Sequence, residues 1–554
     1  MIRILTIFLA ACLLGSCAAP SSFILSLIGT NDVHGELIQK PDRGGLVIVS
    51  GYVNAVRKAR ENDGGAVLLI DAGDMWQGTL ESNLTEGESI VAAYNAMGYT
   101  AAAVGNHEFD FGPAGPAPIP NSDTDDPRGA LKQRASEASF PFLAANLIDQ
   151  STGEPVAWDN FQPSVLVNVK NVKIGIVGVM SRGALTHAIA ANTTGLIVAP
   201  LAETIEREAQ ALRDAGATIV IVTAHAGGKC VDFNDPFDTS SCDLGKEIFR
   251  LAEALPGGLV DHIFAGHEHD GIAHFVNGIS ITTSYSRTQA LSRVDLTIDR
   301  STGTISSKKV YPPIPLLQVT RYEGIDVEPD PAVVAIADQA IEFTAAIKQE
   351  KIGIRLATPF VRTESPESAL GNLYTDALLA SVDADISIHT INSSIRADLP
   401  AGELTFGSVY EMSPFDNQIV VIELSGSELR QVISEQAHEQ KSRIGFSGMR
   451  VSAACTGTKM TVDMRLTNGR GILDSDTIKV VVVNYLALGG NRVFESVMPD
   501  GGYELQLDAP FARDVIIGWL QQKGGTINAS EFQSDDNPKW TLPASLDRRC
   551  RLGT

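Results

Sequence analysis

The sequence predicts a layered α/β protein of two or more domains, and three observations carry that expectation. Short apolar runs alternate with stretches of helical spacing along the first half of the chain, the pattern of strands covered by helices. Several of these runs end abruptly in Asp, His or Asn, which puts polar side chains at the carboxyl edge of a sheet, where open α/β folds bind ligands. At 554 residues and 58.9 kDa, the chain is also too long for one ordinary core.

Composition narrows the partners. Hydrophobic residues make up 44% and charged residues 20%, the proportions of a folded globular protein. A net charge of -23 and a pI near 4.8 exclude a nucleic-acid polymer as partner, because tracking along phosphates needs a basic surface. Any phosphate must be handled locally, by metals and a few arginines, against the global field.

In chain order, Arg3, an apolar core over residues 4–14 and then Leu14-Gly15-Ser16-Cys17 predict a signal peptide over residues 1–17. Its last four residues resemble a bacterial lipobox, which makes Cys17 a lipid anchor. Cleavage near Ala19 is the alternative and gives a free soluble protein. With the first strand starting at Phe23, a lipid on Cys17 leaves a leash of about 20 Å at most.

Residues 23–29 (FILSLIG) read as a strand that runs into Asn31, Asp32 and His34, and residues 66–71 (AVLLID) as another that runs into Asp74. A helical stretch near residues 90–97 leads to AAAVGNHEFD (101–110), where a third strand delivers Asn106, His107, Glu108 and Asp110. Residues 112–128, rich in Pro and Asp, form a loop. Strand VKIGIVGVM (172–180), a helix at 201–214 and strand ATIVIVTA (217–224) follow, the last ending at His225. VDHIFAG (260–266) ends at His267 and His269.

Beyond an irregular stretch from Pro312 to Pro331, Val333, Ile336, Ala340, Phe343 and Ile347 recur at helical spacing and predict a linking helix. The rest alternates again, with a helix near 370–379 and strands ADISIHTI and TIKVVVVNYLAL. Apart from Cys12 and Cys17, four of the six cysteines remain, an even number that favours two disulfides in an exported chain. Cys230 with Cys242 is the local pairing and leaves Cys455 for Cys550.

Five separate strand ends thus supply Asp32/His34, Asp74, Asn106/His107, His225 and His267/His269. Any one histidine is better read as a satisfied interior residue; all the strand ends together are not. Carboxylate, imidazole and amide donors without thiolate suit divalent Mn, Zn, Co or Fe, and there are more donors than one ion takes, so two ions are expected. Such a pair acidifies water to hydroxide near neutral pH and clamps phosphoryl oxygens during in-line displacement. His107 is spare, next to a ligand, and Asp110 is close enough to hold its ring and favour its charged form.

D-x-H, G-D, G-N-H-E, H-A-G and G-H-x-H in this order resemble the calcineurin-like metallophosphoesterases. With the downstream domain, the chain resembles the bacterial 5′-nucleotidase/UDP-sugar hydrolase family over nearly its whole mature length. That resemblance implies an α/β/β/α sandwich over residues 23–320, a linking helix over 329–351 and a separate α/β substrate-recognition domain over 352–545, which rotates on the helix. It implies one metal on Asp32, His34, Asp74 and His269, and a second on Asp74, Asn106, His225 and His267. His107 and Asp110 match its catalytic dyad. His269 stands where some members have glutamine.

In the second domain, Arg362 and Arg396 match phosphate-binding arginines, although Arg362 sits about two residues out of register and serines replace the glycines before Arg396. Ser413-Pro414-Phe415-Asp416-Asn417 resembles Pro-Phe-Gly-Asn, which makes Phe415 and Asn417 substrate contacts. Tyr485 matches the opposite stacking wall, and Asn491 stands where a ribose-binding aspartate is usual. The plain alternatives are Phe415 and Tyr485 as core aromatics and Arg396 as a surface ion-pair partner.

The resemblance implies an exported dimetal phosphohydrolase acting on small-molecule nucleotides, periplasmic or anchored to a bacterial membrane. UDP-sugar or dinucleotide pyrophosphatase, 2′,3′-cyclic-nucleotide phosphodiesterase and sulfur-ester hydrolase are alternatives on the same site. A surface scaffold with a dead site is the third class, and the filled ligand positions with His107 and Asp110 count against it.

Overall fold

Strand Ser22–Thr30 is the spine of the first domain, because its side chains serve two cores at once. Leu25 and Leu27 meet Ile174, Ile219, Ile221 and Phe264 in a layer between two sheets, while Ile28 faces the helices behind. The structure is a computed structural model that describes residues 21–541 apart from 318–319, 364–366, 392–393, 440–443, 457–458, 500–501, 504, 507–508, 535 and 537. The leader with Cys12 and Cys17, residues 392–393 of the serine-bearing loop, and Cys550 lie outside the described residues.

This strand pairs in parallel with Ala66–Asp71 and antiparallel with Ala290–Asp299, near the centre of an eight-stranded sheet. A second sheet of six strands runs in parallel through Val172–Met180, Ile219–His225, His262–Ala265 and Ile279–Ser284. Helices Gly45–Asp63 and Glu88–Met97 cover the outer face of the first sheet, and Leu201–Asp214 and Glu247–Ala254 that of the second. The architecture is the expected α/β/β/α sandwich. The sheets approach so closely at Gly29 that a Cβ there would lie 2.3 Å from the Phe264 ring.

The linking helix is Pro331–Lys348, started by Asp330, whose side chain accepts from Ala332 N at 2.9 Å, with Pro331 in the first turn. Its buried face is Val333, Ala337, Ala340 and Thr344, whereas Phe343 is 61% and Ile347 39% exposed. The predicted apolar stripe is therefore only partly the packing stripe: small residues let the helix lie close against the first domain, and the larger ones turn outward. Beyond it, helices Ala369–Ser381 and Ala512–Lys523 pack together beside a four-stranded sheet centred on Thr477–Val483 and Ile386–Thr390.

Two expected strands are shorter than their apolar runs. The run at 101–105 pairs only over Ala101–Ala103 before His107–Phe109 forms a 3-10 turn. TIKVVVVNYLAL leaves the sheet at Val483, where its partner strand begins at Ile419, and Asn484–Ala487 turns helical. Cys230 and Cys242 are disulfide-bonded, and so is Cys455. Among the described residues, no helix is long and apolar enough to cross a membrane.

Candidate dimetal centre and interdomain cavity

The strand ends of the first sheet are zipped together past their last sheet pairs. Asp32 N donates to Gly73 O at 2.9 Å, His34 N to Asp74 O at 3.0 Å and Gly35 N to Met75 O at 2.9 Å. Glu108 ties in the third loop: its carboxylate accepts from Asp74 N at 2.8 Å, Met75 N at 2.7 Å and Gly105 N at 2.6 Å. Burial and neighbouring Asp74 push Glu108 up to about 8, against those three amides. Gly105 is required here, since a Cβ would fall 2.3 Å from Asp74 Oδ1.

The loops hold their donors in strained backbone. Asp32, His34, Asp74, His267 and His269 have φ of 48°, 50°, 60°, 77° and 59°, a region that non-glycine residues rarely adopt. At about 1–3 kcal/mol each, such conformations persist where the surrounding contacts hold them.

The donors form two groups that share Asp74: Asp32, His34, Asp74 and His269, and Asp74, His225 and His267, each with atoms within 4.8 Å of one another. Asn106 Oδ1 joins the second, 3.1 Å from His225 Nε2. The tautomers are set from outside. His34 Nδ1 lies 2.9 Å from Gln77 O, and His225 Nδ1 lies 2.9 Å from Ala72 O, so each donates there and turns Nε2 inward as a lone pair. His225 Nε2 then faces His267 Nδ1 at 3.1 Å, Asp74 Oδ2 at 3.2 Å and the Asn106 oxygen. His34 Nε2 faces His269 Nε2 at 3.0 Å, and His269 Nε2 faces Asp32 Oδ1 at 3.3 Å.

Acceptors so crowded, with so few hydrogens between them, fit cations. Without one, burial disfavours charge on His225, but Asp74 outweighs it and pushes the ring up to about 10. Burial first, and then the neighbouring imidazole, holds His34 and His267 well below the ordinary value. The residues present fit two divalent ions that share Asp74, and the family uses two divalent metals.

His107 stands apart from both groups. Its Nδ1 lies 2.6 Å from Asp110 Oδ2, its backbone N–H donates to Asp74 Oδ1 at 2.9 Å, and its Nε2 meets Arg396 Nη2 at 3.3 Å across the domain boundary. Burial lowers the His107 pKa, but Asp110 and Asp74 outweigh it and lift it above the ordinary value. The domains are drawn together by Gln77 and Asn83, whose amides donate to Pro414 O at 2.9 and 3.1 Å, and by Lys348, 2.7 Å from Glu81 and 3.2 Å from Glu411.

Between the domains lies a cavity of about 420 Å³. Asp74, Asn106, His107, Asp110, His267 and His269 line it from the first domain, and Arg396, Phe415, Asn417, Tyr485 and Asn491 from the second. Asp32, His34 and His225 are buried behind that wall. Phe415 lies 6.0 Å from the His107 ring with Arg396 over it at 5.3 Å, and Tyr485 OH donates to Asn491 Oδ1 at 3.2 Å. Arg362 is not brought to the wall. It is exposed and donates its backbone N–H to Asp398 Oδ1 at 2.7 Å.

Sequence reasoning passed over four residues here. Glu108 braces the loops, and Asn31 donates Nδ2 to Asp32 Oδ2 at 2.8 Å. His187 lines the cavity, and its carbonyl takes Asn106 Nδ2 at 3.4 Å, which turns the Asn106 oxygen toward His225. Asp416 adds a carboxylate beside Phe415. Glu108 sits inside G-N-H-E, Asn31 beside Asp32 at a strand end and Asp416 in the motif after Pro414, whereas His187 lies outside these motifs.

The calcineurin-like phosphoesterase family matches residues 25–271, and the 5′-nucleotidase C-terminal domain family matches residues 346–497. The endonuclease YhcR of Bacillus subtilis is 26% identical over 94% of this chain, which spans 42% of that protein's length. A 5′-nucleotidase of Vibrio vulnificus is 22% identical over 93% of each chain. The crystal structure of a 5′-nucleotidase precursor from Thermus thermophilus has the same fold, with a TM-score of 0.70 at 21% identity over 96% of this chain and 99% of that one. The two family matches in this order, on a sandwich whose strand ends carry candidate donors for two divalent metals, make this chain a metal-dependent phosphoric ester hydrolase that belongs to the 5′-nucleotidase family.

Proposed function

We propose that this protein hydrolyses 5′-nucleotides to nucleoside and phosphate in the interdomain cavity. One observation carries the reading: a single cavity of about 420 Å³ has the donor groups on one side and Arg396, Phe415 and Tyr485 on the other. Its size suits a small organic ligand rather than a polymer, and the net charge of -23 argues the same way, although one relative is named an endonuclease.

When bound to Asp32, His34, Asp74, Asn106, His225, His267 and His269, two divalent cations supply an acidified water and charge neutralisation at phosphorus. The side chains do the rest. Arg396 Nη2 and His107 Nε2, 3.3 Å apart, converge on one place, where a phosphoryl oxygen takes a hydrogen bond from each. Asp110 fixes the His107 ring and favours its protonated form as charge builds on that oxygen. Phe415 and Tyr485 offer rings to the base, and Asn417 and Asn491 offer amides to the remaining edges.

The test is a panel of phosphate esters with added Mn²⁺. Nucleoside 5′-monophosphates are expected to exceed a small aryl phosphate in kcat/KM by about tenfold or more, the worth of one stacking contact. A preference for UDP-sugars or 2′,3′-cyclic nucleotides over the monophosphates contradicts the reading.

A further inference from the structure

One wall of the cavity carries a carboxylate that phosphoryl chemistry does not use. Asp416 follows Phe415 directly and lines the cavity with it. Arg513, nearly buried at the start of helix Ala512–Lys523, donates Nη2 to Asp416 Oδ1 at 2.6 Å and Nη1 to Phe415 O at 3.4 Å. The Tyr410 ring lies 4.4 Å from the guanidinium, and Ala512 N donates to Asn417 O at 2.8 Å, so the loop is braced along its length. Arg513 thus fixes where Asp416 points, while the Asp416 side chain stays 39% exposed.

Among the described residues, Arg513 donates to this carboxylate through Oδ1 alone, which leaves Oδ2 to accept from a substrate in the cavity. The phosphoryl group belongs at His107 and Arg396, so the carboxylate meets another part of the substrate. Phe415 offers its ring to the base, and Asp416, the next residue on the same loop, lines the same cavity within reach of a base edge. Exocyclic amines donate to a carboxylate at that edge, whereas a carbonyl oxygen in the same place is repelled.

We propose that Asp416, positioned by Arg513, is a specificity determinant that selects nucleotides whose base presents an amino group at its outer edge, and so cytosine over uracil. The proposal rests on the nucleotide reading above. Cytidine and uridine 5′-monophosphates share ribose, phosphate and ring size and differ at that edge. Their ratio of kcat/KM therefore isolates the contact, and a ribose contact alone leaves it at one.

The wild-type enzyme is expected to favour the cytidine nucleotide by about tenfold or more, chiefly through KM. Asp416→Gly is expected to bring the ratio near one. Arg513→Gln is expected to lower it by raising KM for the cytidine nucleotide with little change in kcat, since Arg513 touches Asp416 and not the reacting atoms. A wild-type ratio near one, or a preference that survives Asp416→Gly, overturns the proposal alone. Turnover of an aryl phosphate with neither nucleotide cleaved overturns the nucleotide reading, and this proposal with it.

Discussion

Asp74→Ala is expected to abolish turnover and to strip or scramble both metals together. Its carboxylate is the one member common to both donor groups. One oxygen faces His225 Nε2 at 3.2 Å, and the other accepts the His107 backbone N–H at 2.9 Å. Removing it leaves His34, His225 and His267 buried around an uncompensated hole. An imidazole is neutral or cationic, so none of the three can replace the negative charge of the carboxylate. Elemental analysis of purified protein should fall from about two metals per chain to below one, with turnover at background. Retention of two metals contradicts the shared role.

His107→Ala is expected to separate catalysis from metal binding. The ring lies outside both donor groups, held by Asp110 at 2.6 Å and facing Arg396 at 3.3 Å. Loss of a preorganised donor to a developing oxyanion typically lowers turnover about 10²- to 10³-fold. Metal content should stay near that of the wild type. Asp110→Asn should lower turnover less, because the ring keeps its place and loses only the charge that favours protonation. If metal leaves together with activity, His107 is a ligand and the assignment is wrong.

How much of this is legible in the sequence follows from how each residue is placed. The candidate ligands can be read because each follows an apolar run directly, and parallel strands bring such ends to one side of the sandwich. Their left-handed backbone cannot be read, since it arises from loops zipped to one another across the sheet. Strand Ala290–Asp299 escapes notice because Arg293 and Asp295 look like surface residues. Both are buried, with Arg293 held by Asp295 at 2.7 Å and Glu323 at 2.9 Å. Phe343 misleads in the other direction: an apolar residue at helical spacing need not face the core, and here the helix packs through Ala337 and Ala340.

In the second domain, the match at Arg396 and Phe415 rests on short motifs, and plain core or surface roles were open alternatives. Arg396 reaches His107 across the boundary, and Phe415 sits beside both on the cavity wall. Arg362, two residues out of register, stays outside that wall. The motif departure at Asp416 is compensated by a residue almost a hundred positions later, Arg513, and a single sequence gives no way to pair them.

On the proposed reading, one cavity joins phosphoryl chemistry on the first domain to base recognition on the second. The most direct measurement is kcat/KM of Phe415→Ala on adenosine 5′-monophosphate and on a small aryl phosphate. A base stacked on this ring gains roughly 1 to 3 kcal/mol, so the nucleotide is expected to lose about 10- to 100-fold. The aryl ester, which reaches the donor groups without the ring, should lose far less. An equal loss on both substrates would mean that Phe415 supports the fold rather than the base, leaving a dimetal phosphoesterase without a nucleotide site.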